Sequence, residues 1–222
     1  GATYDYNSDS NPSPFLDNNN IKTVIVSEGV TGIGERLFQY CDNLKTVSLP
    51  TTLTAIKKAV FLPHIDGYIY HQSLNGLMEL KIPERVKELG VNAFAGTAIK
   101  SVTVPSSVGT VGAMAFSECQ YLETVRYGGK VICDRMFVRC TKLKNLTLTR
   151  NVKEIVGGCF NYCESLTTIT YEGSLADWNA VKKNTNWDSH AVDIESPLAK
   201  IQCLDGYMEY VTSTKTWKEV KE

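Results

Sequence analysis

An aliphatic residue followed five positions later by phenylalanine recurs six times in this chain, as Ile33/Phe38, Ile56/Phe61, Leu89/Phe94, Val111/Phe116, Ile132/Phe137 and Ile155/Phe160. The phenylalanines stand 23, 33, 22, 21 and 23 residues apart, so one interval is out of line. Units of about 22 residues are too short to bury their own apolar faces and become stable only by stacking on their neighbours. Like positions of successive units must therefore pile into continuous files.

After most of these phenylalanines comes an apolar triplet: Leu44/Val47/Leu49, Ile99/Val102/Val104, Leu122/Val125/Tyr127, Leu143/Leu146/Leu148 and Leu166/Ile169/Tyr171. An opening copy stands at Ile21/Val24/Val26, and after Phe61 the triplet arrives ten residues late as Leu77/Leu80/Ile82. The last two members of each triplet are two residues apart and so share one face of a β-strand. Seven short strands follow, and at about 4.8 Å per step they build a parallel sheet on the order of 29 Å long. Pro50, Pro83 and Pro105 end three strands, where a missing N–H costs little. Beyond each corner a second apolar pair, such as Leu53/Ile56, Val86/Leu89 or Val152/Ile155, closes the far side of the coil.

The unit that runs Ile33-Gly-Glu-Arg-Leu-Phe38-Gln-Tyr-Cys41-Asp-Asn-Leu44-Lys-Thr-Val47-Ser-Leu49-Pro50 resembles the BspA-type leucine-rich repeat, roughly I-x-x-x-A-F-x-x-C-x-x-L-x-x-I-x-I-P. The resemblance covers about residues 21 to 173, and Ala93-Phe94 and Ala115-Phe116 reproduce its alanine-phenylalanine pair. His64 and Thr97 stand where cysteine is usual, and Tyr127-Gly128-Gly129 replaces the strand-end proline. The resemblance implies a repeat solenoid, with a leucine-rich-repeat parallel β-sheet and short turns or strands on the opposite side. It also implies a secreted or surface-displayed protein that binds host proteins or other cells.

The ends have a different composition. Residues 1 to 20, rich in Asn, Ser, Asp and Pro, read as a polar linker or lead-in. Residues 174 to 222 read as a small C-terminal α/β cap. Leu175, Trp178 and Val181 stand at helical spacing behind Ser174 as N-cap, with Asp177 three positions on. Asp205-Gly206 lies between two β-prone arms as a hairpin signal. Trp178, Trp187 and Trp217 supply covers for the last open coil.

Seven cysteines cannot all pair within one chain. Cys41, Cys119, Cys140 and Cys163 each lie three residues after a repeat phenylalanine, so stacking aligns them in one inward file. Thiols in a line cannot surround zinc tetrahedrally, and parallel Cβ vectors disfavour disulfides, which favours buried free thiols. Cys133, Cys159 and Cys203 lie outside the file, where a pair among them remains open. His64, His71 and His190 sit in no recognised ligand spacing, and hydrolase and phosphate-loop signatures are absent. No catalytic residue, cofactor or metal is expected.

Of fourteen outward strand positions nine are Ser or Thr, a face suited to broad, low-charge contact. Its charged members include Glu79, Lys81 and Arg126. Residues 62–76 interrupt the regular coil with Tyr68, Tyr70 and His71, which either pack over the neighbouring coil or contact a partner. The candidate binding residues are thus Tyr68, Tyr70, His71, Glu79, Lys81 and Arg126. A formal charge of -1 gives no global attraction to nucleic acid or anionic membranes. No apolar run approaches the roughly 18 residues of a membrane span. Gly1 to Asp5 lack export-signal features, as a chain trimmed at its cleavage site would. The expectation is a monomeric, non-enzymatic, adhesin-like binder of a protein, such as a host matrix or cell-surface protein, or of a glycan. A structural spacer is the alternative.

Overall fold

The computed structural model describes residues 1–7, 10–66, 69–70, 79–189 and 196–221, with backbone alone at 65–66, 69–70 and 79. The chain runs β1 (Thr23–Ile25), β2 (Gly32–Ile33), β3 (Thr46–Ser48), β4 (Ala55–Ile56), β5 (Ile65–Asp66), β6 (Ile69–Tyr70) and β7 (Glu79–Lys81). It continues through β8 (Glu88–Leu89), β9 (Ser101–Val104), β10 (Thr110–Val111), β11 (Thr124–Tyr127), β12 (Val131–Ile132), β13 (Asn145–Leu148), β14 (Glu154–Ile155) and β15 (Thr168–Tyr171). The end comprises α1 (Leu175–Asn179), β16 (Lys182–Lys183), β17 (Lys200–Cys203), β18 (Gly206–Val211) and β19 (Thr216–Lys221).

Each coil contributes one front strand and one back strand, and most like strands pair in parallel and in register; behind, the ladder divides between β10 and β12 among the described residues. In front, Val102 faces Val125 and Val125 faces Leu146; behind, Ile33 faces Ile56 and Ile56 faces Leu89. The inward residues Val102, Val125, Leu146 and Ile169 are at most 3 % exposed. The solenoid expected from the period is the solenoid observed.

All seven phenylalanines form one column. Ring centroids from Phe15 through Phe38, Phe61, Phe94, Phe116 and Phe137 to Phe160 lie 5.4 to 6.2 Å apart, with planes within 26° of parallel. The corners that carry these rings share a backbone device. Residues two before and two after the ring take left-handed dihedrals, as Arg36 and Tyr40 flank Phe38, Met114 and Glu118 flank Phe116, and Arg135 and Arg139 flank Phe137. Such dihedrals cost about 1–2 kcal/mol in a non-glycine residue. They persist because corner backbones bond to the next coil, with Phe94 N–H donating to the Ala115 carbonyl and Phe116 N–H to that of Met136. At Gly112 a Cβ would come within 2.2 Å of the Val91 nitrogen, so only glycine permits this close approach of two coils.

The structure departs from the sequence reading at three places. The polar start is fitted to the first coil: Ala2 bridges Gly32, Ser13 Oγ donates to the Leu37 carbonyl at 2.6 Å, and Phe15 extends the ring column. At the other end the helix covers Leu175–Asn179 with its Ser174/Asp177 capping box in place, while the hairpin turns on Leu204-Asp205, one residue earlier than the Asp-Gly signal placed it. The hairpin also does more than cover: β17 continues the front sheet parallel to β15, and β18 and β19 add antiparallel strands. Trp178, Trp187 and Trp217 close this end as a chain of ring contacts at 5.6 and 5.7 Å. Third, the front sheet is not continuous. It divides into β1-β3 and an eight-stranded sheet from β7 to β19.

Phe116 is fully buried between two rings, whereas Phe15 at the end of the column is 39 % exposed. Phe116→Ala is expected to cost about 3–5 kcal/mol in urea melts, and Phe15→Ala clearly less. Equal losses would show that the column does not act as a stack.

Candidate functional site at the split in the front sheet

The split starts from one residue. Two positions after the ring, the other repeat corners place Asp17, Tyr40, Gly96, Glu118, Arg139 and Tyr162, all with positive φ. After Phe61 that position is Pro63. Proline is locked near φ −65°, so this corner cannot make the left-handed turn. The chain leaves the coil there and forms the antiparallel pair β5-β6 before returning as β7. Next to it His64, in a cysteine position, is stacked on Tyr40 at 4.3 Å, with Nδ1 2.8 Å from Asp42 Oδ2. These contacts fasten the start of the insertion to the preceding coil.

Behind the split the coils remain joined. β4 pairs with β8, Phe61 stacks on Phe94 at 5.4 Å, and Phe61 N–H donates to the Ala93 carbonyl at 3.1 Å. In front, no ladder joins β3 to β7 among the described residues. The result is a wedge, hinged at the back and the ring corner and open on the front face. A cavity of about 430 Å³ lies in it, lined by Val47, Ser48, Leu49 and Thr51 on one lip and by Lys81, Pro83, Glu84 and Arg85 on the other. A neighbouring hollow of about 640 Å³ runs on across Ser101, Thr103 and Thr124 to Arg126.

Burial marks the site. Val47 and Leu49 are half-buried, whereas their counterparts Val102 and Val104 are 3 % and 0 % exposed. Lys81, Thr103 and Arg126 form one row across adjacent strands. Arg126 Nη2 lies 2.6 Å from Glu172 Oε2, which holds the guanidinium across the sheet face. Of the sequence candidates, the structure thus brings Lys81 and Arg126 together on one hollow. Glu79 and Tyr70 are placed by backbone only, in β7 and β6, while Tyr68 and His71 lie outside the described residues. The lip residues Val47, Leu49, Thr51, Glu84 and Arg85 were not among them. Their sequence signal was indirect, a proline at the corner position and the interval of 33.

The thiol file is buried and hydrogen-bonded. Sγ of Cys41, Cys119, Cys140 and Cys163 donates to the carbonyls of Phe15, Phe94, Phe116 and Phe137, each one coil earlier, at 3.1 to 3.2 Å. All seven cysteines are free. Burial pushes the thiols of Cys41, Cys133 and Cys203 up to about 11 and that of Cys163 to about 12. Among the described residues no group of three or more His, Cys, Asp or Glu is placed to hold a metal ion, and no helix is long and apolar enough to cross a membrane.

Coil, ring column and inward thiols together define the class, a leucine-rich-repeat solenoid. The family is shown directly: the BspA type leucine rich repeat region matches residues 8–64 and 63–181 in six copies, and the chain belongs to that family. A leucine-rich repeat protein from Bacteroides ovatus shares the fold, with a TM-score of 0.59 and 18% identity over 92% of this chain and 69% of that one. The T. pallidum leucine rich repeat protein does so with a TM-score of 0.56 and 23% identity, over 74% of this chain and 71% of that one. No curated protein matches the chain. Family and fold make it a repeat protein for protein interaction or scaffolding.

The thiols set an alkaline limit on stability. The folded values of Cys41, Cys133, Cys163 and Cys203 lie above the unfolded reference of 9.0, so their contribution is whole below pH 9 and fades as pH rises toward about 12, whereas hydrogen bonds from Cys140 and Thr97 lower that of Cys119 against its burial. A raised, fully buried thiol such as Cys163 supplies a slope of about 1.4 kcal/mol per pH unit in that window. Lys183, pushed down to about 8 by burial, acts the opposite way between pH 8 and 10.5, but it is one group against several. The urea midpoint is expected to fall steadily above pH 9. Ellman's reagent should find seven thiols in the unreduced, denatured chain; five would reveal a disulfide.

Proposed function

We propose that this chain is a non-enzymatic binding module of a secreted or surface-displayed protein, adhesin-like, that captures another protein across its front face. The observation that carries the reading is the wedge, where an apolar row that is buried in the coils from β7 onward is left partly exposed between cationic and hydroxyl-bearing lips. Protein interfaces combine such an apolar centre with a polar rim. Tyr68, Tyr70 and His71 of the insertion, with Glu79 of β7, are further contact candidates in this reading. The surface location is supported by the family, whose members are largely exported. An uninterrupted ring column closed by an aromatic cap supports the spacer as a second reading, because it makes a stiff rod.

The immobilised chain is expected to bind a component of a panel of host matrix proteins, cell-surface proteins and glycans saturably. Lys81→Glu with Arg126→Glu should weaken that capture about tenfold, equivalent to about 1.4 kcal/mol, at an unchanged melting temperature. Tyr68→Ser with Tyr70→Ser should weaken it as well. No saturable partner would favour the spacer, and turnover of any substrate in a hydrolase panel would refute the non-enzymatic assignment.

A further inference from the structure

The wedge is more than an apolar hollow, because both of its lips are strand edges. Thr46 N–H donates to the Lys22 carbonyl at 3.2 Å, and Val26 N–H donates to the Ser48 carbonyl at 3.0 Å. The backbone of Thr46 and Ser48 therefore serves β1. Alternation along the strand turns the N–H and carbonyl of Val47 the other way, toward β7. The same alternation operates throughout the front sheet, where Gly128 N–H donates to the Val104 carbonyl and Thr149 N–H to that of Tyr127. It aims the backbone of Lys81 back at β3. Among the described residues neither edge has a ladder partner on that side.

We infer that the split takes up one extended segment of a partner polypeptide, inserted as an added strand between β3 and β7, with acidic side chains beside Lys81 and Arg85. This rests on the binding reading above and names the chemistry of its partner. An unpaired edge is a template for another strand, and main-chain bonds supply affinity while alternate side chains supply selectivity. One strand inserted here would meet two edges at once, and the half-exposed Val47 and Leu49 would receive its inward apolar residues. Charge selects the outward ones. Lys81, Arg85 and Arg126 line the two hollows against Glu84, and Arg126 is already engaged by Glu172. Lys81 and Arg85 have no ion-pair partner among the described residues, in a chain whose formal charge is -1. Pairing of β4 with β8 and the Phe61-Phe94 stack keep the core joined behind the split, so an occupant would meet edges carried by coils that are already packed.

The test uses the whole chain and a fluorescein-labelled, end-capped nonapeptide that alternates valine with aspartate. Two analogues accompany it, one with lysine for aspartate and one N-methylated at alternate residues. Fluorescence polarisation should show saturable binding of the aspartate peptide, at least tenfold weaker binding of the lysine analogue, and at least tenfold weaker binding of the methylated one. Lys81→Glu should reverse the charge preference. On binding, hydrogen exchange at the Val47 and Lys81 amides should slow at least tenfold. Failure of the aspartate peptide to bind, equal affinity for the methylated analogue, or binding without slowed exchange would overturn the inserted strand. Self-association of the chain with those amides protected would replace the foreign segment by a second copy and overturn it too. Capture from the protein panel that the peptide does not compete leaves the binding reading standing while the slot falls; peptide insertion with an empty panel does the reverse.

Discussion

The structure depends on the contact of one coil with the next. A coil of some twenty residues has no interior of its own; its inward strand residues, its ring and its thiol become buried only when a neighbour arrives. The aromatic column expresses this most directly. Near-parallel rings with centroids 5.4 to 6.2 Å apart are offset rather than eclipsed, the arrangement that the ring quadrupole favours. Strand spacing of about 4.8 Å fixes the rise, and the rings slide to suit it. Corner backbones, held in left-handed conformations by bonds to the following coil, are stabilised by the same stacking. A lone coil would keep neither the strained dihedrals nor the buried rings.

The thiol file follows from the same geometry. Three residues after each ring the chain has a short inward position facing the carbonyl of the ring residue one coil earlier. A cysteine fits that space and donates weakly to that carbonyl, adding to the backbone N–H that the carbonyls of Phe15, Phe94 and Phe137 already accept. Thr97, in the same position, donates to the Phe94 carbonyl at 2.8 Å, the acceptor that Cys119 also reaches. His64 is too large for the role and turns outward to Asp42. The position therefore asks for a small donor, which accounts for a row of free thiols.

What could be read from the sequence was whatever repeats. Strand positions, back pairs and the ring register are periodic, and six aliphatic-phenylalanine pairs are enough to fix them. Phe15 escaped that reading although it stands 23 residues before Phe38, because Ser10 occupies the aliphatic position of the pair. The left-handed corners were hidden for a different reason. Arg36, Met114 and Arg135 carry no local preference for positive φ, so their conformation is imposed by tertiary contacts. Lys81 and Arg126 were found because they stand out on a face of hydroxyls. Val47 and Leu49 were not, since nothing in their own unit separates them from Val102 and Val104; what distinguishes them is a neighbour that fails to arrive.

That failure has a structural logic. A proline at one corner breaks the coil path locally, yet the adjoining coils lose only their front ladder, because the back strands and the ring stack carry the register across. The lips of the opening are consequently carried by two packed blocks, as the strands β3 and β7 and the tight turns that follow them. Loops would have to be ordered on binding, at a cost of about 1–2 kcal/mol of backbone entropy for each residue fixed. Here the spacing between the two edges is set by coils whose cores are already formed. A repeat protein that needed a recognition site at one chosen point along a uniform rod would obtain it most simply by omitting one pairing, and among the described residues this chain has no ladder between β3 and β7.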